Sequence, residues 1–569
     1  MRTITFTGPR VLRFGMNYSV GRRALRLGLP LALLLMFLMG GVPSAAPADP
    51  VMEQALRTRI DALGKAAGGN IDGHRIAANK LLPKLYDALG FKLAWRDPNA
   101  VKALQTAIAR SWEDGLIVSD FHDKTVASAL PAPDTAEALA DRDIILSDAL
   151  TRLLYQLYFG KVDPHGLDGN WNFSRPVLKS DPATALAEAM SAGKIDELVE
   201  RARLKHPFYL ALKSTLQAYT QHAIDRVWVS VADGPPLKPG DKDPRVGALR
   251  ARLAITGEYQ ETQEPADPAL YDPALAEVVK RFQAANSLED DGVVGPATIK
   301  VLNATPEDRI QQLRINLERA RWVLRDVGNE LVLVNIAGFY LSLVLDGKPV
   351  WKTRVVVGKT YHKTPVFTET MKTIVFNPDW SLPRSIVRGE KFAKMSRNPG
   401  YVAANDYELR DGSGNRVNPH AINWASYTAN TFPFSMVQKP GSKNALGIVK
   451  FLFPNKYSVY LHDTPSRQLF DKAGRTFSHG CIRVEDPLKL AQLILANRKG
   501  WDRAKIDALV ATGKTHYVKV EPELPVLLLY WTVDPTFDGG AHFYPDIYSR
   551  DARLLKALDA PFNPKRLQK

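Results

Sequence analysis

The chain has 569 residues, 45% hydrophobic and 24% charged, with one cysteine and a formal net charge of +15. Its length predicts several domains, and its composition is that of a globular protein rather than a disordered one. A single cysteine excludes an internal disulfide and a multi-thiolate metal site. The positive charge favours an anionic polymer or surface as neighbour, and no zinc-finger spacing or arginine-rich tract points to nucleic acid.

Taken in chain order, Arg2, Arg10, Arg13, Arg22, Arg23 and Arg26 form a basic lead before the apolar run from Leu27 to Val42 and the small residues around Ala46-Pro47-Ala48. This order predicts export, with residues 1–48 acting as a cleaved signal peptide or as an uncleaved membrane anchor. The apolar run is short against the ~20 residues a spanning helix needs. An exported protein meets oxidising conditions, where an odd thiol calls for a functional explanation.

Residues 49–228 read as a helical scaffold. Leu81, Leu82, Leu85 and Leu89 recur at helical spacing, as do Leu150, Leu153, Leu154 and Leu157, while Pro131, Pro133 and "KVDPHGLDGNW" separate the helices. "VADGPPLKPGDKDPR" (231–245) reads as a linker. Residues 236–304 predict a small three-helix module. Val246, Leu249 and Leu253 share one face, Leu275, Val278, Val279 and Phe282 another, and Pro296 opens a third helix. Through "VKRFQ" and "DGVVGPAT" this module resembles the peptidoglycan-binding domain type 1 of bacterial wall proteins. Residues 305–328 predict a connecting helix, capped by Thr305, with Pro306 at its first position and Ile310, Leu313, Leu317 and Leu324 along one face.

At 329 the period changes to two. "ELVLVNIAGFYLSLVLDGKPVWKTRVVVGK" predicts strands joined by a hairpin, and "KTIVFNP", "GIVKFLFP" and "YSVYLHD" predict further strands. The expected fold is multidomain α+β: a helical scaffold, the three-helix module, and a mostly-β domain over 329–515 followed by a tail at 516–569. Gly, Asn and Pro within about 384–435 mark a lid insertion over a site.

The chemistry gathers in "FSHGCIRVEDP" (477–487), which contains the only cysteine. Small, polar and charged neighbours are poor company for a core thiol. A thiol nucleophile needs a base to take its proton and donors aimed at the oxyanion that forms on attack. His479 lies two residues before Cys481, and His462 nineteen before, at the end of a predicted strand. His462 is the better-placed base, because a strand end beside a loop is held rigidly. A neighbouring imidazole is expected to raise the thiolate fraction, so that Cys481 alkylates well below the pH of a free thiol. Gly480 lets the backbone approach a substrate, and its amide and that of Cys481 are candidate oxyanion donors. Arg483 either binds a substrate carboxylate or braces the loop. Trp380 and Asn377 either floor a groove or belong to the core. Gln438, Gly441, Asn444 and Gly447 shape a supporting loop.

Between His462 and "SHGC" stand fifteen residues. "HDTPSRQLFDKAGRTFSHGCIRV", with His462, Ser478, His479, Gly480, Cys481, Ile482 and Arg483, resembles the signature of L,D-transpeptidases with a YkuD-type catalytic domain. The helical scaffold and wall-binding module ahead of it resemble the large periplasmic, YcbB-like members. The resemblance implies a periplasmic acyltransferase that needs no metal or cofactor. Cys481 would form a thioester with a donor tetrapeptide stem of peptidoglycan, His462 would accept and return the proton, and Tyr460 would add an oxyanion donor. The amine of a diaminopimelate on an acceptor stem would then give a 3→3 cross-link. Carbapenems would acylate the same thiol, and the anchor reading of residues 1–48 would place the chain at the inner membrane. His479 would tune the thiol or only shape the loop. Two other classes stay open: an L,D-carboxypeptidase or hydrolase, and a non-catalytic wall-binding protein. The His-Glu-x-x-His pattern of zinc peptidases is absent, with His362, His420, His462 and His479 scattered.

Overall fold

The computed structural model describes residues 50–65, 69–169, 171–173, 181–225, 228–255, 267–535 and 541–562. The signal or anchor expected at 1–48 lies outside them, and among the described residues no helix is long and apolar enough to cross a membrane.

The scaffold is helical as predicted, with its main helices at Pro50–Lys65, Leu81–Ala88, Pro98–Ala109, Ala136–Phe159, Pro182–Ser191, Ile195–Ala202 and Pro207–Asp225. Asp97, Thr135 and Asp181 cap three of them by accepting from backbone N–H groups of the first turn. Leu82, Leu85, Leu150, Leu153 and Leu157 meet in one core. The small module has helices Arg245–Ile255, Pro273–Ala285 and Pro296–Leu302, packed through Val246, Leu249, Leu253, Leu275, Val278, Val279 and Phe282. The predicted linker is corrected. Val231 and Leu237 lie in the module's core, Val231 N–H donates to the Asn303 side chain at 2.8 Å, and Leu237 bridges to Val294. Proline and glycine there signal the absence of helix, not the absence of burial.

The connecting helix Pro306–Val323 starts with the predicted cap, as a reciprocal Thr305–Asp308 box. It is buried on more than its leucine face. Arg321 and Glu318 are both 0% exposed and pair at 2.7 Å. Arg321 also donates to the Asp114 carbonyl (2.8 Å) and the Tyr209 hydroxyl (2.9 Å), while Glu318 accepts from Val162 N–H (2.6 Å). Further along, Asn316 exchanges two hydrogen bonds of 2.9 Å with Thr532. The helix thus ties the scaffold to the β domain. Arg321→Met leaves the Glu318 carboxylate buried without its cation, and should lower unfolding free energy by about 3–5 kcal/mol. Urea denaturation reads this, and a loss below about 1 kcal/mol would contradict the role given to the pair.

The β domain is built on one sheet, whose strands we number in chain order: β1 (Leu331–Asn335), β2 (Tyr340–Leu345), β3 (Lys348–Gly358), β4 (Phe367–Phe376), β5 (Val449–Leu452), β6 (Leu461–His462), β7 (Thr476–Ser478), β8 (Ile482–Val484) and β9 (His516–Leu529). The order is β7-β3-β8-β6-β5-β4-β9-β1-β2, and β2 pairs back onto β3, so the sheet closes on itself. Closure leaves one buried face, filled by Val332, Leu341, Val355, Ile374, Phe451, Leu461, Ile482 and Val526.

The predicted tail is corrected. β9 lies between β4 and β1, burying Val518, Val520, Val526, Leu528 and Leu529. Pro522 and Pro525 argue against a central strand. The structure accommodates them: Pro522 falls where the register shifts between Lys519 and Leu524, and Pro525 stands opposite Thr370.

The lid is a folded unit wider than the predicted interval. Trp380–Ser381, Tyr407–Arg410, Arg416–Val417 and Ser435–Gln438 form a four-stranded sheet, and Leu382, Ile386, Met395, Val402, Leu409, Phe432 and Met436 give it a core of its own.

Candidate active site

Strand register places the chemistry. β6 pairs with β8 in parallel, Leu461 opposite Ile482 and His462 opposite Arg483, so Tyr460 and Cys481 fall opposite each other one step earlier. Side chains alternate along strands and paired residues share a face. Leu461 and Ile482 are fully buried in the core. Tyr460, His462, Cys481 and Arg483 therefore project together from the other face.

The thiol loop is held from inside. The Ser478 hydroxyl donates to the Cys481 carbonyl (2.5 Å) and accepts from Gly480 N–H (3.0 Å). Gly480 has φ +114, a conformation other residues rarely adopt. Its carbonyl accepts from Thr364 Oγ1 (2.9 Å), Thr364 N–H donates to the Tyr548 hydroxyl (3.2 Å), and that hydroxyl donates to the Gly358 carbonyl (2.6 Å). Tyr548 belongs to the segment predicted as a tail. It also lines a cavity of about 300 Å3 with Trp171, Trp322, Arg319 and Arg550, which none of the thiol's neighbours reaches. Because Gly480 N–H is engaged by Ser478, its expected place in an oxyanion hole is corrected. The donors at the sulfur are the hydroxyl and the backbone N–H of Tyr460.

Cys481 Sγ–H donates to the Ser458 carbonyl at 3.5 Å. Burial pushes this thiol above its ordinary value, against opposing pulls from Tyr460, Lys450 and Arg483. His462 is buried, and its Nδ1–H donates to the Asp463 carbonyl at 2.5 Å, which leaves Nε2 as the free lone pair. Burial first, then the charges of Arg483 and Lys450, lower the imidazole to about 3. The resting pair is thus thiol and neutral imidazole, and the expected rise in thiolate fraction is corrected: burial opposes both charged forms, and the two nearby cations oppose a protonated imidazole. Iodoacetamide should accordingly alkylate Cys481 of the free protein with a midpoint above the ~8.5 of a free thiol. A rate that persists to pH 6 would contradict this.

The remaining sequence-predicted residues divide. Tyr460 is pushed up by burial and by Cys481, stays protonated, and takes a hydrogen bond from the Trp380 side chain, which brings the lid to the sulfur. His479 turns to the lid instead of the thiol: Nε2 pairs with Glu390 Oε1 at 2.8 Å, and its ring stands 5.1 Å from that of His362. Asn377 does not floor a groove, because its side-chain amide donates to the carbonyls of Leu509, Val510 and Lys514. Asn444 donates to the Pro378 and Lys439 carbonyls, and Gln438 to those of Asn405 and Lys443, tying together the two ends of the insertion. Gly447 leaves room for Asp463, whose carboxylate accepts from Ile448 N–H at 3.0 Å. Among the described residues no three His, Cys, Asp or Glu side chains gather to hold a metal ion.

A family model described as the L,D-transpeptidase catalytic domain, YkuD, matches residues 329–516. This chain carries a YkuD-type L,D-transpeptidase domain. A "Scaffold domain" model matches residues 80–216, and one described as "Putative peptidoglycan binding domain" matches 242–302. A curated protein of Haemophilus influenzae, named "Putative L,D-transpeptidase", is 35% identical over 244 residues, which is 43% of this chain and 49% of that protein. The chain thus spans about half the length of this curated relative. The crystal structure of an L,D-transpeptidase (residues 123–326) from Xylanimonas cellulosilytica matches 52% of this chain and 99% of that one, at 18% identity and a TM-score of 0.17, too weak a likeness to carry any argument.

Sequence reasoning missed two residues in this L,D-transpeptidase domain: Lys450 beside the thiol, and Glu390, the partner of His479. Lys450 stands opposite His462 on β5, with Nζ 5.2 Å from the centre of the Tyr460 ring. The strand "GIVKFLFP" contains it in plain view, and its place in the alternation is the signal, since Val449 and Phe451 face the core. Glu390, in the lid, carries no local signal at all. It is found only through His479.

Proposed function

We propose that this protein is a cysteine-dependent L,D-transpeptidase that forms 3→3 cross-links in peptidoglycan, in the periplasm, with residues 1–48 as its signal peptide or inner-membrane anchor. The observation that carries the reading is the shared face of Cys481 and neutral His462 within the L,D-transpeptidase domain, beside a cation, Arg483, whose buried Nε has no hydrogen-bond partner. The peptidoglycan-binding match supports the polymer as substrate.

In this mechanism Cys481 Sγ attacks the carbonyl carbon between the L-centre of meso-diaminopimelate and the terminal D-alanine of a tetrapeptide stem. His462 Nε2 takes the thiol proton as the S–C bond forms, because neither group is charged at rest. The Tyr460 hydroxyl and the Cys481 N–H meet the oxyanion. When the C–N bond breaks, His462 returns the proton to the leaving D-alanine nitrogen, and a thioester remains. The side-chain amine of a second diaminopimelate attacks that thioester. His462 takes a proton from the amine and gives it back to sulfur. A carbapenem, entering as an acyl donor, would stop at the first stage.

The test is incubation of the purified protein with tetrapeptide muropeptides, in the presence and absence of a chelator, with the products sequenced by tandem mass spectrometry. Dimers joined between two diaminopimelates, formed with or without chelator, are the expected result. Release of D-alanine without dimers would replace transpeptidation by carboxypeptidation. A reaction stopped by the chelator would replace the thiol by a metal.

A further inference from the structure

We propose that Lys450 holds a carboxylate of the donor peptide, so that Lys450 and Arg483 form a two-cation clamp on either side of His462. The proposal rests on the transpeptidase reading and names how its donor is recognised.

The first ground is register. Lys450 pairs with His462 across β5 and β6, and His462 pairs with Arg483 across β6 and β8. The three residues form one row on one face of three adjacent strands. Neighbouring strands lie about 4.8 Å apart, so the two cations leave the backbone roughly 10 Å from each other with the imidazole between them. Tyr460 and Cys481 stand opposite each other in the next row, and the Lys450 ammonium lies over the Tyr460 ring.

The second ground is the missing counter-charge. Several enclosed cations elsewhere meet carboxylates, Lys161 with Asp120 (2.7 Å), Lys213 with Asp114 (3.0 Å), Arg319 with Asp551 (2.7 Å) and Arg321 with Glu318 (2.7 Å), while Arg142 and Arg252 donate to backbone carbonyls. Lys450 is half-buried, and among the described residues it makes no ion pair. Asp379 acts on it only from beyond ion-pair reach, and burial lowers its ammonium. Arg483 likewise keeps a buried Nε without a partner. Enclosed charge without a partner costs free energy. Two such cations beside one thiol form a site for an anionic ligand.

The donor stem fits this charge. Its scissile amide lies next to the carboxylate of the terminal D-alanine, and its diaminopimelate carries a second carboxylate on the far centre. Lysine presents a point charge that takes one carboxylate oxygen, whereas arginine offers a fork. Seating both anions would neutralise the two charges that now disfavour a protonated imidazole. His462 would become a stronger base only when a donor is in place, and the thiol would stay inert without one.

Acylation kinetics of the wild type, Lys450→Met and Lys450→Arg test this with three donors: the free-acid tetrapeptide, its C-terminal amide, and the peptide amidated at the far diaminopimelate carboxylate. In the wild type one of the two amidations should raise KM by roughly ten- to a hundredfold. In Lys450→Met the free acid should already show that KM, and the same amidation should add nothing. Lys450→Arg should keep most of the discrimination. Ratios between donors within one variant do not depend on the fraction folded. Lys450→Met discriminating like the wild type would overturn the clamp alone, whereas a wild type acylated by none of the donors would overturn the transpeptidase reading beneath it.

Discussion

Replacing Cys481 by alanine is expected to slow D-alanine release and dimer formation by roughly 10^4- to 10^6-fold while leaving the melting temperature unchanged. The chemistry has no second nucleophile to fall back on, since the chain holds one cysteine. The fold does not depend on the sulfur. The loop is held by the Ser478 hydroxyl, the Gly480 backbone, Thr364 and Tyr548, while Sγ itself meets the Ser458 carbonyl at a long 3.5 Å and the hydroxyl and backbone N–H of Tyr460. Loss of activity with an intact melt therefore reports chemistry, measured as released D-alanine at saturating donor. Retention of more than about 1% of the rate would remove the thiol from the mechanism.

His462→Gln should slow acylation by about 10^2- to 10^4-fold, the usual contribution of a positioned general base. Glutamine can still reach the Asp463 carbonyl but cannot take a proton. A stability signature separates this from misfolding. In the folded protein the imidazole sits at about 3, against 6.5 for the ordinary group. Between those values the unfolded chain binds a proton that the folded one refuses, so wild-type stability falls as pH drops from 6.5 towards 3 and levels off below. The full loss from this one group is on the order of 5 kcal/mol. The glutamine variant lacks it, so its unfolding free energy should fall less steeply than that of the wild type from pH 7 to pH 4. Parallel curves would mean that His462 is not held neutral in the folded state.

The thiol, its base and the flanking arginine were legible in sequence because they lie in two short segments, and because alternation along "YSVYLHD" and "CIRV" puts Tyr460 with His462 and Cys481 with Arg483. The three-part architecture was legible for a similar reason: helical and two-residue periods are local. What stayed hidden is long-range. The strand His516–Leu529 carries two prolines, and only its neighbours show that a register shift absorbs Pro522. Trp380 reaches Tyr460, and Glu390 reaches His479, by way of a lid whose strands come from four separate stretches. The thiol's protonation was hidden too, because a histidine near a cysteine suggests an easily ionised thiol. Burial and the charges on both sides of His462 are properties of the assembled sheet, and they make the neutral pair the resting state.

Intact-mass spectrometry of the protein after incubation with a defined tetrapeptide, without acceptor amine, tests most directly whether one sulfur carries the reaction. The expected result is a single adduct of the peptide less D-alanine, located on Cys481, absent in the alanine variant and discharged when a diaminopimelate amine is added. Dimers accumulating from tetrapeptide in the Cys481→Ala variant, with no adduct at any stage, would contradict it.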